Sequence, residues 1–248
     1  MRTALTRTLV AVLTIGGTVL VSQAPAGAAI TAKQLVERAI TATEAAVTVS
    51  YTGALITPSA TISFTVATND RTGQGQGTLV SGGGTATVRL VNRTVYLDAD
   101  APFWTASSGA AAAAKFAGKW VSTSATTKAG RSLAEFLDGL YLLKDVFRPK
   151  LTNSVFAYSG TRTVRGKKTT FIRGHNPKNK SGGTLYVATT GAPYILKLTL
   201  TSSKELGSVT FFNFNRPVGP KAPPGAINLD LISVPKPPKT GHKPKKSG

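Results

Sequence analysis

The chain opens on a leader-like segment and contains no cysteine. Together these two facts limit its folding options more than any motif does. Arg2 and Arg7 precede an apolar run from Leu9 to Val21, and the small-residue segment Ala24–Ala29 follows it. A charged start, an apolar middle and a small-residue end describe a secretory signal peptide over residues 1–28, cleaved after Ala28 or Ala29. The run is short for a membrane span and is broken by Gly16 and Gly17. Such a leader predicts a protein that works outside the cytoplasm, secreted or held at the cell envelope. Exported domains are often stapled by disulfides. This one has none, so its fold must rest on ordinary packing. Zero cysteine also excludes a thiol nucleophile, a thiolate metal site and a lipid-modified cysteine, so no lipid anchor is expected.

Residues 29–234 are read as one domain, long enough to bury a real core. Residues 235–248 form a Pro- and Lys-rich tail with no apolar side chain to pack except proline. It reads as a disordered extension, either a plain soluble terminus or a basic tether to an anionic surface. The formal net charge is +20. That field favours anionic partners without choosing among them.

Thr31-Ala-Lys-Gln34 has the spacing of a capping box, and Leu35, Ala39 and Ala42 recur at helical intervals, which predicts a helix from Ala32 to Ala45. Short alternating segments follow: Val47–Tyr51, then Ile62, Phe64 and Val66 between threonines and serines, Gln74–Ser81, Ala86–Leu90 and Arg93–Leu97. Residues 101–116 are helix-permissive. Ser132-Leu-Ala-Glu135 has capping-box spacing, and Leu133, Phe136, Leu137, Leu140 and Tyr141 make an apolar stripe beside it. A second strand set runs through 155–164, 168–173, 184–189, 194–201 and 208–215. The order helix, meander, helices, meander predicts an α+β fold with antiparallel strands, since parallel strands buried on both faces would read as continuous apolar runs.

Few residues suit catalysis. His175 sits in an expected loop and His242 in the tail, so there is no two-histidine metal face and no serine triad with a GxSxG elbow. Asp98 and Asp100, Glu135 and Asp138, and Gly82-Gly-Gly84 read as edge charges, helix-end balance and a turn. No metal, no cofactor and no enzymatic activity are expected. The basic residues Arg165, Lys167, Lys168, Arg173, Lys178 and Lys180 form a candidate contact with an anionic membrane surface or cell-wall polymer. A recognition helix or aromatic stacking sheet is missing, so no specific nucleic acid is expected.

Gly118-Lys-Trp-Val121, Thr190-Gly-Ala-Pro-Tyr194 and Val209–Val218 before Ala222-Pro-Pro224 carry a family likeness. Through them and the element order, the chain resembles the lipoprotein-carrier-like superfamily. That group includes periplasmic lipoprotein chaperones and the lipid-binding lipoproteins of mycobacteria and other actinobacteria. The resemblance implies a curved antiparallel half-barrel sheet whose concave mouth is covered by helices, with an apolar cavity between them. It implies a non-enzymatic carrier of a lipid, a lipid-linked molecule or another amphiphile. On the faces inferred above, Phe64, Val66, Trp120, Leu133, Phe136, Leu137, Leu140 and Tyr141 are expected to line or close that cavity. The alternative is a cell-envelope interaction protein with a filled core that binds acidic wall polymers through its basic face and tail.

Overall fold

The computed structural model describes residues 29–56, 61–138, 148, 154–178, 181–201 and 206–232. The expected leader, the expected tail, and Leu140, Tyr141 and Lys180 lie outside them. Helix α1 (Ala32–Glu44) starts as its sequence dictates: Thr31 accepts from the Gln34 backbone N–H and Gln34 reaches back to the Thr31 N–H. Val36, Ala39, Ile40 and Thr43 form its buried side.

Six strands follow in two steps. β1 (Thr48–Ile56), β2 (Thr61–Asn69), β3 (Gln74–Ser81), β4 (Gly84–Val91) and β5 (Thr94–Ala99) make an antiparallel meander. Asn92 and Arg93 both take positive φ between β4 and β5, the geometry a two-residue hairpin turn needs to match strand twist. Helices α2 (Ala101–Ser108) and α3 (Ala110–Phe116) come next, separated by Gly109 at φ 89°. The single helix-permissive run expected from the sequence is therefore two helices. β6 (Val121–Ser124) then pairs with β5, and α4 (Lys128–Leu137) follows.

The second meander is β7 (Val155–Val164), β8 (Lys167–His175), β9 (Gly182–Ala188), β10 (Ile195–Thr201) and β11 (Leu206–Phe212). β11 pairs with β1, which fuses the two meanders into one sheet. From Asn213 the chain crosses the sheet face opposite the helices. The Thr48 hydroxyl donates to the Arg216 carbonyl, Asn69 to that of Val218 and Arg89 to that of Lys221, so β1, β2 and β4 each hold the crossing segment. It ends as β12 (Ile227–Asn228), which lies parallel to β6. A 3-10 turn at Leu229–Leu231 follows.

The expected antiparallel half-barrel is overturned. The sheet is one open, mixed layer of twelve strands in the order β12-β6-β5-β4-β3-β2-β1-β11-β10-β9-β8-β7, without closure or strong curl. Closing a barrel requires its first and last strands to meet with a fixed stagger. Here the two ends are β12, two residues long, and β7, whose register shifts between Tyr158 and Thr161 around Gly160. α1 packs on β7, β9 and β10, α2 on β4, and α4 across β2 to β6. The core lies between these helices and one sheet face, with Tyr51, Phe211, Ile172, Leu185 and Leu198 fully buried.

Candidate functional site: an apolar cavity under α2 and α4

The site is built by helices that approach the sheet very closely. Asp100 caps α2: one carboxylate oxygen accepts from the Phe103 N–H at 2.9 Å and the other from the Thr85 N–H at 2.8 Å. This bond pair binds the helix start to β4. A Cβ on Gly84 would stand 2.1 Å from the Phe103 nitrogen, so α2 can sit here only on a glycine. Asp98 and Asp100 thus part company, because Asp100 is committed to capping.

α4 begins at Lys128, with the Thr127 hydroxyl accepting from the Gly130 N–H. The capping box expected at Ser132–Glu135 is not a helix start. Ser132 lies inside α4 and its hydroxyl donates to the Lys128 carbonyl. Thr127 offered the same oxygen five residues earlier, where Gly130 can press against the Ser124 carbonyl.

Between these helices and β5–β6 lies a cavity of about 320 Å³. Val95, Leu97, Val121, Phe103, Trp104, Ala129, Leu133 and Leu229 form its apolar wall, and Ser107, Ser108, Ser122 and Thr123 add polar atoms. Trp104 is buried, and its indole N–H has no hydrogen-bond partner among the described residues. Leu229 is held over the cavity by its neighbour. The Asp230 carboxylate accepts from the Thr123 hydroxyl at 2.6 Å and from the Ser124 N–H at 2.8 Å. Those two bonds hold the Asp230 carboxyl below the usual carboxylate range.

Of the residues singled out in the sequence, Leu133 lines this cavity. Phe64, Val66, Phe136 and Leu137 are not among its wall residues: Phe64, Val66 and Leu137 are buried in the core, and the half-buried Phe136 packs against it. Tyr51 meets Phe64 edge-on at 5.9 Å, and Phe64 meets Phe136 edge-on at 5.4 Å. The Tyr51 hydroxyl donates to the Phe136 carbonyl at 2.6 Å, and burial, followed by the Asp138 and Asp70 charges, pushes its ionisation far up. Trp120 is not with them. It lies under the Arg89 guanidinium at 4.7 Å, and Arg89 projects from the sheet face opposite Ala86, Val88 and Leu90. Val95, Leu97, Phe103, Trp104, Val121, Ala129 and Leu229 are apolar lining residues of this cavity that the pattern did not single out. The one available signal was Asp100-Ala-Pro102 ahead of Phe103-Trp104, a cap with proline in the first turn.

The basic residues separate as well. Arg165 occupies the β7–β8 turn at φ 48° with its guanidinium 4.1 Å from the Phe212 ring. Arg173 lies 5.9 Å from the Phe171 ring. Lys167 and Lys168 open β8 in exposed positions, and Lys178 sits in the turn after it. His175 ends β8, exposed. Among the described residues no three His, Asp or Glu side chains come together as a metal set, and no helix is long and apolar enough to cross a membrane.

No protein-family model and no curated protein matches this sequence. Solved structures do share its fold. The lipoprotein LppX of Mycobacterium tuberculosis superposes with a TM-score of 0.52 at 14% identity, over 75% of this chain and 96% of that one. LprF of Mycobacterium bovis gives 0.50 at 16% identity, over 76% and 94%.

Proposed function

We propose that this chain is exported and acts without chemistry, as a binder or carrier of a lipid or another single-chain amphiphile. Its apolar part would occupy the cavity between α2, α4 and β5–β6. The observation that carries this reading is the cavity itself: eight apolar side chains around about 320 Å³, with hydroxyls among them. Ligand pockets typically start at about 300 Å³ and combine apolar walls with a few placed polar groups. If a methylene takes roughly the 30 Å³ that a water takes in the liquid, the space holds about ten of them. At about 0.8 kcal/mol per buried methylene this is ~8 kcal/mol of gross stabilisation, from which the cost of association is subtracted. The cavity fits one short acyl segment rather than a two-chain lipid. Trp104 contributes to the wall that such a ligand would meet. The fold is shared with LppX, a mycobacterial protein named as a lipoprotein, which accords with an envelope setting, and the expected leader would supply the route.

Mass spectrometry of organic extracts from gently purified protein tests the reading. One amphiphile per chain is expected, absent from a Leu133→Trp variant that keeps its melting temperature. With Trp120→Phe, Trp104 is the single remaining indole, and its emission should shift when a decyl-chain probe binds. Empty protein whose Trp104 emission ignores such probes would sink the proposal.

A further inference from the structure

The sheet face turned away from the helices carries an ordered row that no local motif reveals. Thr210, Thr52, Thr65, Thr78 and Thr87 are direct cross-strand partners on β11, β1, β2, β3 and β4. Each neighbours a core residue along its strand, so all five point outward. The Thr52 and Thr65 hydroxyls stand 2.9 Å apart. The same row continues through Lys197 on β10 to Tyr186 on β9. With neighbouring strands about 4.8 Å apart, the six steps from β9 to β4 span roughly 29 Å.

At the β8–β10 end of this row cations rest on rings. Arg162 lies 4.9 Å and Arg173 5.9 Å from the Phe171 centroid, and Lys197 lies 5.9 Å from that of Tyr186. Phe171 and Tyr186 stack at 6.0 Å. Such seating orders the cationic groups at little cost in solvation. No Asp or Glu occurs between Asp145 and Glu205, and among the described residues no salt bridge engages Arg162, Arg173 or Lys197. These charges are fixed in place and unneutralised, next to a line of hydroxyls.

We propose that this face is a second binding surface, for an acidic polysaccharide laid across the strands. Its carboxylates sit at Arg162, Arg173 and Lys197, and its hydroxyls exchange hydrogen bonds with the threonine row. Charge complementarity selects an anion. The length of the row selects a polymer over a monomeric headgroup, and the hydroxyl line suits a hydroxylated chain. A bilayer is the poorer fit, because a membrane-seeking face projects its aromatics, whereas Phe171 is only 7% exposed beneath its arginines. The surface lies on the opposite side of the sheet from the cavity and does not depend on it.

Equilibrium binding to polygalacturonate tests the surface, with neutral galactan, galacturonate monomer and phosphatidylglycerol vesicles as comparisons. The folded wild-type chain should bind polygalacturonate in a salt-dependent manner and ignore galactan. Arg162→Gln/Arg173→Gln/Lys197→Gln should lose at least about tenfold in affinity, as expected for removing charge-assisted contacts. Thr65→Val/Thr78→Val, which keeps strand shape, should lose a few-fold while the salt dependence stays the same. Leu133→Trp, which fills the cavity, should bind the polymer as wild type does. Unchanged affinity in the triple variant overturns the proposal. So does competition by the monomer as effective as that of the polymer, or binding to vesicles in place of polygalacturonate.

Discussion

Phe211 and Phe212 are neighbours on β11 and occupy different environments. Phe211 is 1% exposed among Tyr51 and the helix-side core, whereas Phe212 faces outward and is covered by the Arg165 guanidinium. The contrast extends over the sheet. One face is apolar and glycine-notched and holds helices close; the other is hydroxyl-bearing and cationic and is crossed by the Asn213–Ala226 segment. Because strand side chains alternate, every residue step switches between these environments. The energetics of the two faces should differ accordingly.

The sharpest test compares the two phenylalanines by chemical denaturation. Phe211→Ala should cost about 3–5 kcal/mol, the range for a large buried ring. Phe212→Ala should cost about 1 kcal/mol, the scale of an exposed cation–π contact. Equal losses would erase the distinction between the faces. Next comes Gly84→Ala, whose added Cβ meets the Phe103 nitrogen. Overpacking of this kind costs about 1–3 kcal/mol, and the variant should also loosen α2 and weaken decyl-probe binding.

Tyr51→Phe should cost about 1–2 kcal/mol, since it leaves the Phe136 carbonyl without its buried donor. The folded ionisation of Tyr51 is raised, so its contribution is complete below an unfolded tyrosine's pKa of about 10 and declines above it. The wild type should therefore lose stability through alkaline pH more steeply than the variant does. The smallest effect belongs to Asp230. Its carboxyl is held low, so its contribution is present above the unfolded carboxylate's pKa of about 4 and is lost as pH falls through the folded value. Acid should release the Leu229 cover and speed probe exchange, and Asp230→Asn should show fast exchange at every pH.

Much of the local structure was legible in the sequence. The capping box at Thr31 and the alternation around Phe64 mark their elements because the signals lie within a few residues of each other. Pairing across the chain was not legible. Nothing near Thr52 says that it will face Thr210, and β12 is two residues whose only reason to be a strand is β6. The same limit governed the cavity. Leu133, Phe136 and Leu137 share one stripe of α4, yet Leu133 lines this cavity while Phe136 meets Phe64 edge-on and Leu137 is buried. The end of α4 also comes close to the sheet at Gly75, where a Cβ would meet the Leu137 carbonyl at 2.7 Å. The half-barrel expectation failed for a related reason. Alternation specifies a sheet with two chemistries but says nothing about whether its ends meet.

Those ends have a consequence for the protein at high concentration. An open sheet invites a second molecule to add its own strand, and repetition of that step grows a fibre. Here β12 offers two residues to such an intruder, and β7 offers a row interrupted between Tyr158 and Thr161. A bulge shifts the spacing of the free amides and carbonyls, so a regular incoming strand falls out of step after a few bonds. Both edges of this wide, open sheet are thus poor templates for an added strand.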